Sequence, residues 1–187
     1  MDDNLQNNPK KLMQLAKGGQ KEAFDLLYRM YFTPVFRYVY FRVKSKEDAE
    51  DITQTVFLKV FKTILSFQDK DKSPLNYFFT VARNTVIDYW RKKKDILLDN
   101  PEDILWKAQD PESPQKMVLK KETANIVHKA IQNLTKEQQE VITLKFINEF
   151  SNGEIAKLLE KSEEAIRQLQ CRGLRVIRKY FKDEKII

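Results

Sequence analysis

Four long hydrogen-bonding side chains, Arg167, Gln168, Arg172 and Arg175, lie between Ser162 and Arg178, where Glu163 and Glu164 are the only acids. Arg and Gln make paired hydrogen bonds to guanine and adenine edges, so this set suits reading of duplex DNA in the major groove. Such reading needs a rigid support. Ser162 can cap a helix, and Ile166, Leu169, Gly173, Leu174 and Ile177 then fall on a side that packs. Upstream, Ser151 and Glu154 have the S-x-x-E form of a capping box and start a shorter helix. Ile155, Leu158 and Leu159 form its apolar face, and Glu160-Lys161 is the turn between the two. A helix-turn-helix reads with the N-terminal half of its second helix. Gly173 stands where alanine would be the better helix former, which suggests close approach of another helix. The same spacing also fits an ordinary amphipathic pair in a bundle.

A second basic run, from Arg83 to Lys94, holds five cations against the single acid Asp88. It belongs to a helix opened by Ser73-Pro74 and packed through Leu75, Phe78, Phe79, Ala82, Val86 and Tyr89. Tyr77, Tyr89 and Trp90 set rings beside the cations, a combination suited to holding unpaired bases. The plainer reading makes the rings core and the cations a reply to the helix dipole.

The remaining elements must position these two clusters. Pro9 opens a short helix that Gly18-Gly19 ends. Phe24, Leu27, Tyr28 and Tyr31 continue in a second helix, which Pro34 is expected to interrupt or restart. Val35, Phe36, Val39 and Tyr40 follow as core. Ser45 caps a helix whose first turn is acidic, with Ile52, Val56, Phe57, Val60, Phe61 and Ile64 as its apolar positions. Its outer face carries Asp48, Asp51, Gln54, Thr55 and Lys59 and could dock a basic protein.

Composition agrees with an all-α protein. The 187 residues include only four glycines and six prolines, and the net charge is +7, which favours an anionic partner. One cysteine, Cys171, excludes an internal disulfide and suits a reducing cytoplasm. No N-terminal apolar run follows the first methionine, and no stretch approaches a membrane span. His128, the only histidine, has no metal-ligand or nucleophile set around it, so neither a metal nor a cofactor is expected. No Gly-rich phosphate loop or catalytic triad is present, so no enzyme and no small-molecule substrate are expected.

Two ordered stretches resemble bacterial RNA polymerase sigma factors. DAEDITQTVFLKV (48–60) and FTVARNTVIDYWRKKK (79–94) are similar to the second conserved region. LTKEQQEVITLKF (134–146) and the stretch from Ser151 to Arg178 are similar to the fourth. Nothing between them could house a third-region domain, so the chain resembles the small extracytoplasmic-function (ECF) group. The resemblance implies a region 2 bundle over 10–94, a flexible acidic linker over 95–114 and a region 4 helix-turn-helix over 115–184.

It also implies roles. Asp48, Asp51, Gln54, Thr55, Phe57 and Lys59 would bind the beta-prime clamp of core RNA polymerase; Thr55 departs from the usual acid. Phe67, Asp71, Lys72, Arg83, Asn84, Asp88, Arg91 and Lys92 would melt and hold the minus-ten element of promoter DNA. Ser162, Glu163, Ala165, Arg167, Gln168, Cys171, Arg172 and Arg175 would sit at the minus-thirty-five element, and the C-terminal half would touch the beta flap. Thr135 replaces the family's proline yet keeps a T-x-x-Q capping box with Gln138. An anti-sigma factor is an expected partner. A free-standing helix-turn-helix regulator explains the C-terminal half alone and leaves residues 48–60 without a role.

Overall fold

The computed structural model describes residues 8–67, 73–99 and 118–186. Every regular element among them is helical. The N-terminal module contains α1 (Pro9–Lys17), α2 (Lys21–Tyr40), α3 (Lys46–Thr63) with a 3-10 turn over Ile64–Ser66, and α4 (Pro74–Asp99). The C-terminal module contains α5 (Val118–Gln132), α6 (Lys136–Ile142) with a π turn over Thr143–Ile147, α7 (Asn152–Leu159) and α8 (Glu163–Asp183).

Short polar side chains set the helix starts. Ser45 accepts the Asp48 amide at 3.0 Å, Ser73 the Asn76 amide and Ser162 the Ala165 amide, each of the last two at 3.2 Å. Each bond satisfies one of the amides a helix start leaves without a partner. Thr135 with Gln138 and Ser151 with Glu154 form complete capping boxes. Asn8 caps α1 ahead of Pro9.

Two expectations are corrected. Pro34 neither interrupts nor restarts a helix, since α2 passes through it from Lys21 to Tyr40. Tyr31, Val35, Tyr38 and Val39 are all buried on the continuous helix, and that packing outweighs one missing backbone donor. The acidic connector does not begin at Asp95, because α4 continues to Asp99. Ile96, Leu97 and Leu98 are adequate helix formers, and the first breaker in the sequence is Pro101. The rest of that connector, and the helix start expected at Ser113-Pro114, lie outside the described residues.

Four helices build the N-terminal core, α1 contributing Leu12 and Met13. Leu27, Val35 and Val39 of α2 meet Ile52, Val56 and Val60 of α3 and Phe78, Phe79, Ala82 and Val86 of α4. This core does not stop at the module boundary. Val141, Leu144, Phe150 and Ile155 join the same buried cluster, and the Phe79 and Phe150 rings lie 4.8 Å apart. The two modules are therefore packed together, with α6, the π turn and α7 against α2 and α4.

Candidate nucleic-acid and protein interfaces

Helix α8 presents one basic, solvent-facing side. Ser162, Glu163, Arg167, Gln168, Cys171, Arg172 and Arg175 are exposed and Ala165 is half-buried. Six of the eight residues assigned to duplex reading are thus exposed along one helix, with Ser162 as its exposed cap and Ala165 partly covered. Ile166 and Gly173 are buried beneath them. Gly173 lies so close to α6 that a Cβ there would sit 3.0 Å from Ile142 Cγ1. Leu174, expected on the packed side, is instead 44 % exposed. Glu160 takes the left-handed conformation, φ 54° and ψ 44°, and turns the chain sharply between α7 and α8. Arg167 is held at rest by Glu164, whose Oε2 accepts from Nε at 3.1 Å and from Nη2 at 3.0 Å. Exposed pairs of this kind contribute little stability, so the guanidinium is free to exchange partners.

The start of α7 holds a charge-assisted bond. Glu154 Oε2 accepts from the Ser151 amide at 2.8 Å and its hydroxyl at 2.6 Å. Those two donors hold the Glu154 carboxyl below its ordinary range.

The residues expected to hold an unpaired strand divide into two groups. Asn84, Asp88 and Arg91 line one accessible stripe of α4, with Asp88 bonded to Arg91 at 3.3 Å and facing Lys59 at 3.5 Å. Lys92 is exposed nearby. Arg83 turns the other way, and its Nε donates to Glu140 Oε1 of α6 at 3.1 Å. Phe67 is a correction: it is 4 % exposed and packs edge-on to Tyr77 at 5.1 Å, so it is core. Asp71 and Lys72 lie outside the described residues.

None of the three nearby rings is an open stacking platform. Tyr77 bonds Thr63 at 2.7 Å. Tyr89 donates to Asp48 at 2.7 Å, and burial followed by that bond raises its hydroxyl above the usual range. Trp90 lies beneath the Arg42 guanidinium, 4.7 Å from the ring centre, and the Lys136 ammonium, 4.0 Å away. Burial, then Arg42 and Lys44, lowers the Lys136 ammonium to about 8. The residue as a whole stays exposed, so the shielding falls on its charged end over the ring.

On α3, Asp51, Gln54 and Thr55 are exposed. Asp48 is partly committed to Tyr89 and Lys93 of α4, and Lys59 sits between α3 and α4 on Thr85 and Asp88. Phe57 is a second correction. It is 4 % exposed and touches Tyr28 and Phe78, so it supports the face from inside. Phe61 is a third. Assigned to the core stripe, it is 53 % exposed and edge-on to Phe24 at 5.1 Å. Leu58 at 60 % and Leu65 at 72 % complete an uncovered apolar stripe beside Asp51, Gln54 and Thr55. The spacing of three and four from Leu58 to Phe61 to Leu65 was the available signal. It was missed because α3 carries a second, stronger stripe.

The described residues hold no group of three or more potential metal ligands, and no helix among them is long and apolar enough to cross a membrane.

Comparison with known proteins gives two family-model matches, "Sigma-70 region 2" over residues 27–96 and "Sigma-70, region 4" over residues 124–177. The chain is 32 % identical over 173 residues to the ECF RNA polymerase sigma factor BldN of Streptomyces coelicolor, covering 92 % of this chain and 66 % of BldN. It is 30 % identical over 164 residues to the ECF sigma factor SigX of Bacillus subtilis, covering 86 % of this chain and 84 % of SigX. In fold it resembles CnrH, solved with the cytosolic domain of CnrY, at a TM-score of 0.71 and 19 % identity over 94 % of this chain and 97 % of that one. RpoE of Bartonella quintana, solved with the anti-sigma factor NepR, gives a TM-score of 0.71 and 19 % identity over 85 % of this chain and 96 % of RpoE.

Proposed function

We propose, from the premise that this chain belongs to the ECF group of RNA polymerase sigma factors, that its two helical modules divide promoter recognition between them. A sigma factor binds core RNA polymerase and directs promoter-specific transcription initiation; it is an initiation factor and not an enzyme. The region 2 module is taken as 10–94 extended by the end of α4, and the region 4 module as 115–184.

The C-terminal module reads the minus-thirty-five duplex. Arg167 and Gln168, near the start of α8, reach base edges, while Arg172 and Arg175 meet phosphates further along. In the N-terminal module, Asn84, Asp88, Arg91 and Lys92 contact the minus-ten element, with Arg83 available once it leaves Glu140. Holding a base outside the stack costs a few kcal/mol of unpairing. A second module anchored on intact duplex offsets that cost by fixing where opening occurs.

Core polymerase docks on α3 through Asp51, Gln54 and Thr55, and the neighbouring Leu58, Phe61 and Leu65 bury their apolar surface in the same contact. An anti-sigma factor is part of this proposal, since CnrH and RpoE, two solved structures of similar fold, are held in complexes, one of them with a named anti-sigma factor.

The observation that carries the reading is that Arg167, Gln168, Arg172 and Arg175 are all exposed on α8, while Ile166 and Gly173 of the same helix are buried. Run-off transcription with bare core polymerase tests it. The chain should confer promoter-specific initiation, and Asp51→Lys should abolish it together with copurification of polymerase while leaving helical content unchanged. Failure of the parent chain to direct initiation from any sequence on its cognate core would refute the reading. Tight duplex binding without polymerase would favour a free-standing regulator instead.

A further inference from the structure

The first turn of α8 carries an acid that neither packing nor phosphate contact calls for. Glu164 is exposed, on a helix side turned toward phosphates and base edges, where a carboxylate is repelled. Its bonds go to the two residues assigned to base edges. Oε2 accepts from Arg167 Nε at 3.1 Å and Nη2 at 3.0 Å, and Oε1 accepts from Gln168 Nε2 at 3.5 Å. Spacings of three and four put the three side chains on one strip of the helix. Glu163, one residue earlier, comes no nearer than 3.8 Å to Arg167 Nη1. The helix dipole favours an acid at either position, so it does not account for the bonds of Glu164 to both readers.

The donors left over are the ones a base needs. A guanidinium holds its five N–H groups in one plane. Glu164 takes the Nε hydrogen and one on Nη2. One hydrogen on Nη1 and the second on Nη2 remain as a parallel pair, which guanine O6 and N7 accept. The Gln168 amide is oriented in the same way. With one Nε2 hydrogen on Glu164, the other hydrogen and Oε1 stay available to adenine N7 and N6.

In water such a pair adds little to the fold. Glu140 is the contrast, since it pairs with Arg42 at 2.9 Å and Arg83 at 3.1 Å and ties one module to the other. Glu164 bonds only within its own helix, so its effect falls on where Arg167 and Gln168 point. Docking on duplex sheds water from the strip and strengthens the pair. Readers already ordered lose less freedom on binding.

We propose that Glu164 is a positioning residue for minus-thirty-five reading: its carboxylate stays on Arg167 and Gln168 in the bound state and aims both at their base pairs without touching a base itself. The inference rests on the proposed reading role of α8. The acid weakens binding to every duplex while raising the contrast between right and wrong bases.

The test is run-off transcription by holoenzyme made from core polymerase and the full chain. The templates are a promoter that the parent uses and versions with each other base at every minus-thirty-five position. Glu164→Ala should lower discrimination about tenfold at the base pair that Arg167→Ala also relaxes, and by less at the pair read by Gln168. It should raise initiation on mismatched promoters about threefold, because a repulsive charge has gone. Glu164→Gln loses the charge but keeps one acceptor oxygen, so its discrimination should fall between those of the parent and Glu164→Ala. In an Arg167→Ala background, Glu164→Ala should change all four bases at that pair alike. An even gain on every promoter with discrimination intact would leave Glu164 a surface charge and overturn the proposal. Lost discrimination that persists in the Arg167→Ala background, or that falls at a third base pair, would make Glu164 a base reader in its own right and overturn it too. A parent that starts from no promoter removes the sigma reading and this inference with it. A parent that starts normally beside an unchanged Glu164→Ala profile removes the inference alone.

Discussion

Gly173→Ala sets two opposing effects against each other at the base of the recognition helix. Alanine favours the helical backbone by about 1 kcal/mol over glycine. Its Cβ, however, would lie 3.0 Å from Ile142 Cγ1, 3.3 Å from Cδ1 and 3.6 Å from Gln138 Cβ. Ile142 is 2 % exposed and packed with Ile131 and Leu134, so it has little room to retreat. Adding a carbon to a filled core costs about 1–3 kcal/mol, and a fixed neighbour places this site at about 2. The net result is a loss of about 1 kcal/mol, a fall of roughly 2–4 °C in Tm for a chain of this size. Thermal and urea unfolding followed by circular dichroism measure it. The decisive form is a double-mutant cycle. With Ile142→Ala already in place, the obstruction is gone and Gly173→Ala should stabilise by about 1 kcal/mol, giving an interaction energy of about 2 kcal/mol. Stabilisation by Gly173→Ala in the parent, or the same change in both backgrounds, would refute the close approach as the reason for glycine.

Arg167→Ala should relax discrimination at one minus-thirty-five base pair by about 1–3 kcal/mol; equal weakening on every duplex would reduce Arg167 to a phosphate contact. Glu160→Gly removes a Cβ from a left-handed position and should stabilise by about 1 kcal/mol; an unchanged or lower Tm contradicts that. Ser151→Ala should cost about 1 kcal/mol through the lost cap and flatten the acid limb of stability. The sign follows from the lowered Glu154 carboxyl. Its contribution is fully present above the unfolded value near 4.5 and is lost as pH falls through the lower folded value. A pH–stability profile between 6 and 3 that is as steep in Ser151→Ala as in the parent would place the effect elsewhere.

Local chemistry made much of this protein legible before its structure was known. Ser151 with Glu154, Thr135 with Gln138 and Ser162 are read from neighbours a few residues away, and all three helix starts stand where the spacing put them. Gly173 was legible because glycine is a poor helix former and needs a reason. Pro34 misled because a backbone preference of one residue competes with the burial of four large side chains, and only the fold reveals that burial. Phe57 and Phe61 were read together as apolar positions of α3, yet only Phe57 is buried, because two apolar stripes share the helix and periodicity does not say which one faces inward. Glu140 and Arg42 gave no local signal at all. Their meeting joins residues nearly a hundred positions apart, and each alone reads as an ordinary surface charge.

The extension of α4 to Asp99 fixes where the tether between modules begins. The 26 residues of α4 run about 39 Å at 1.5 Å each, leaving residues 100–117 to reach Val118. That much backbone spans at most roughly 60 Å, the rise of about 18 base pairs of duplex at 3.4 Å each. Covalent length therefore acts as a pair of calipers. Within that span the chain can straddle two sites without strain, and each base pair inserted beyond it must be absorbed by bending the DNA or by letting one site go.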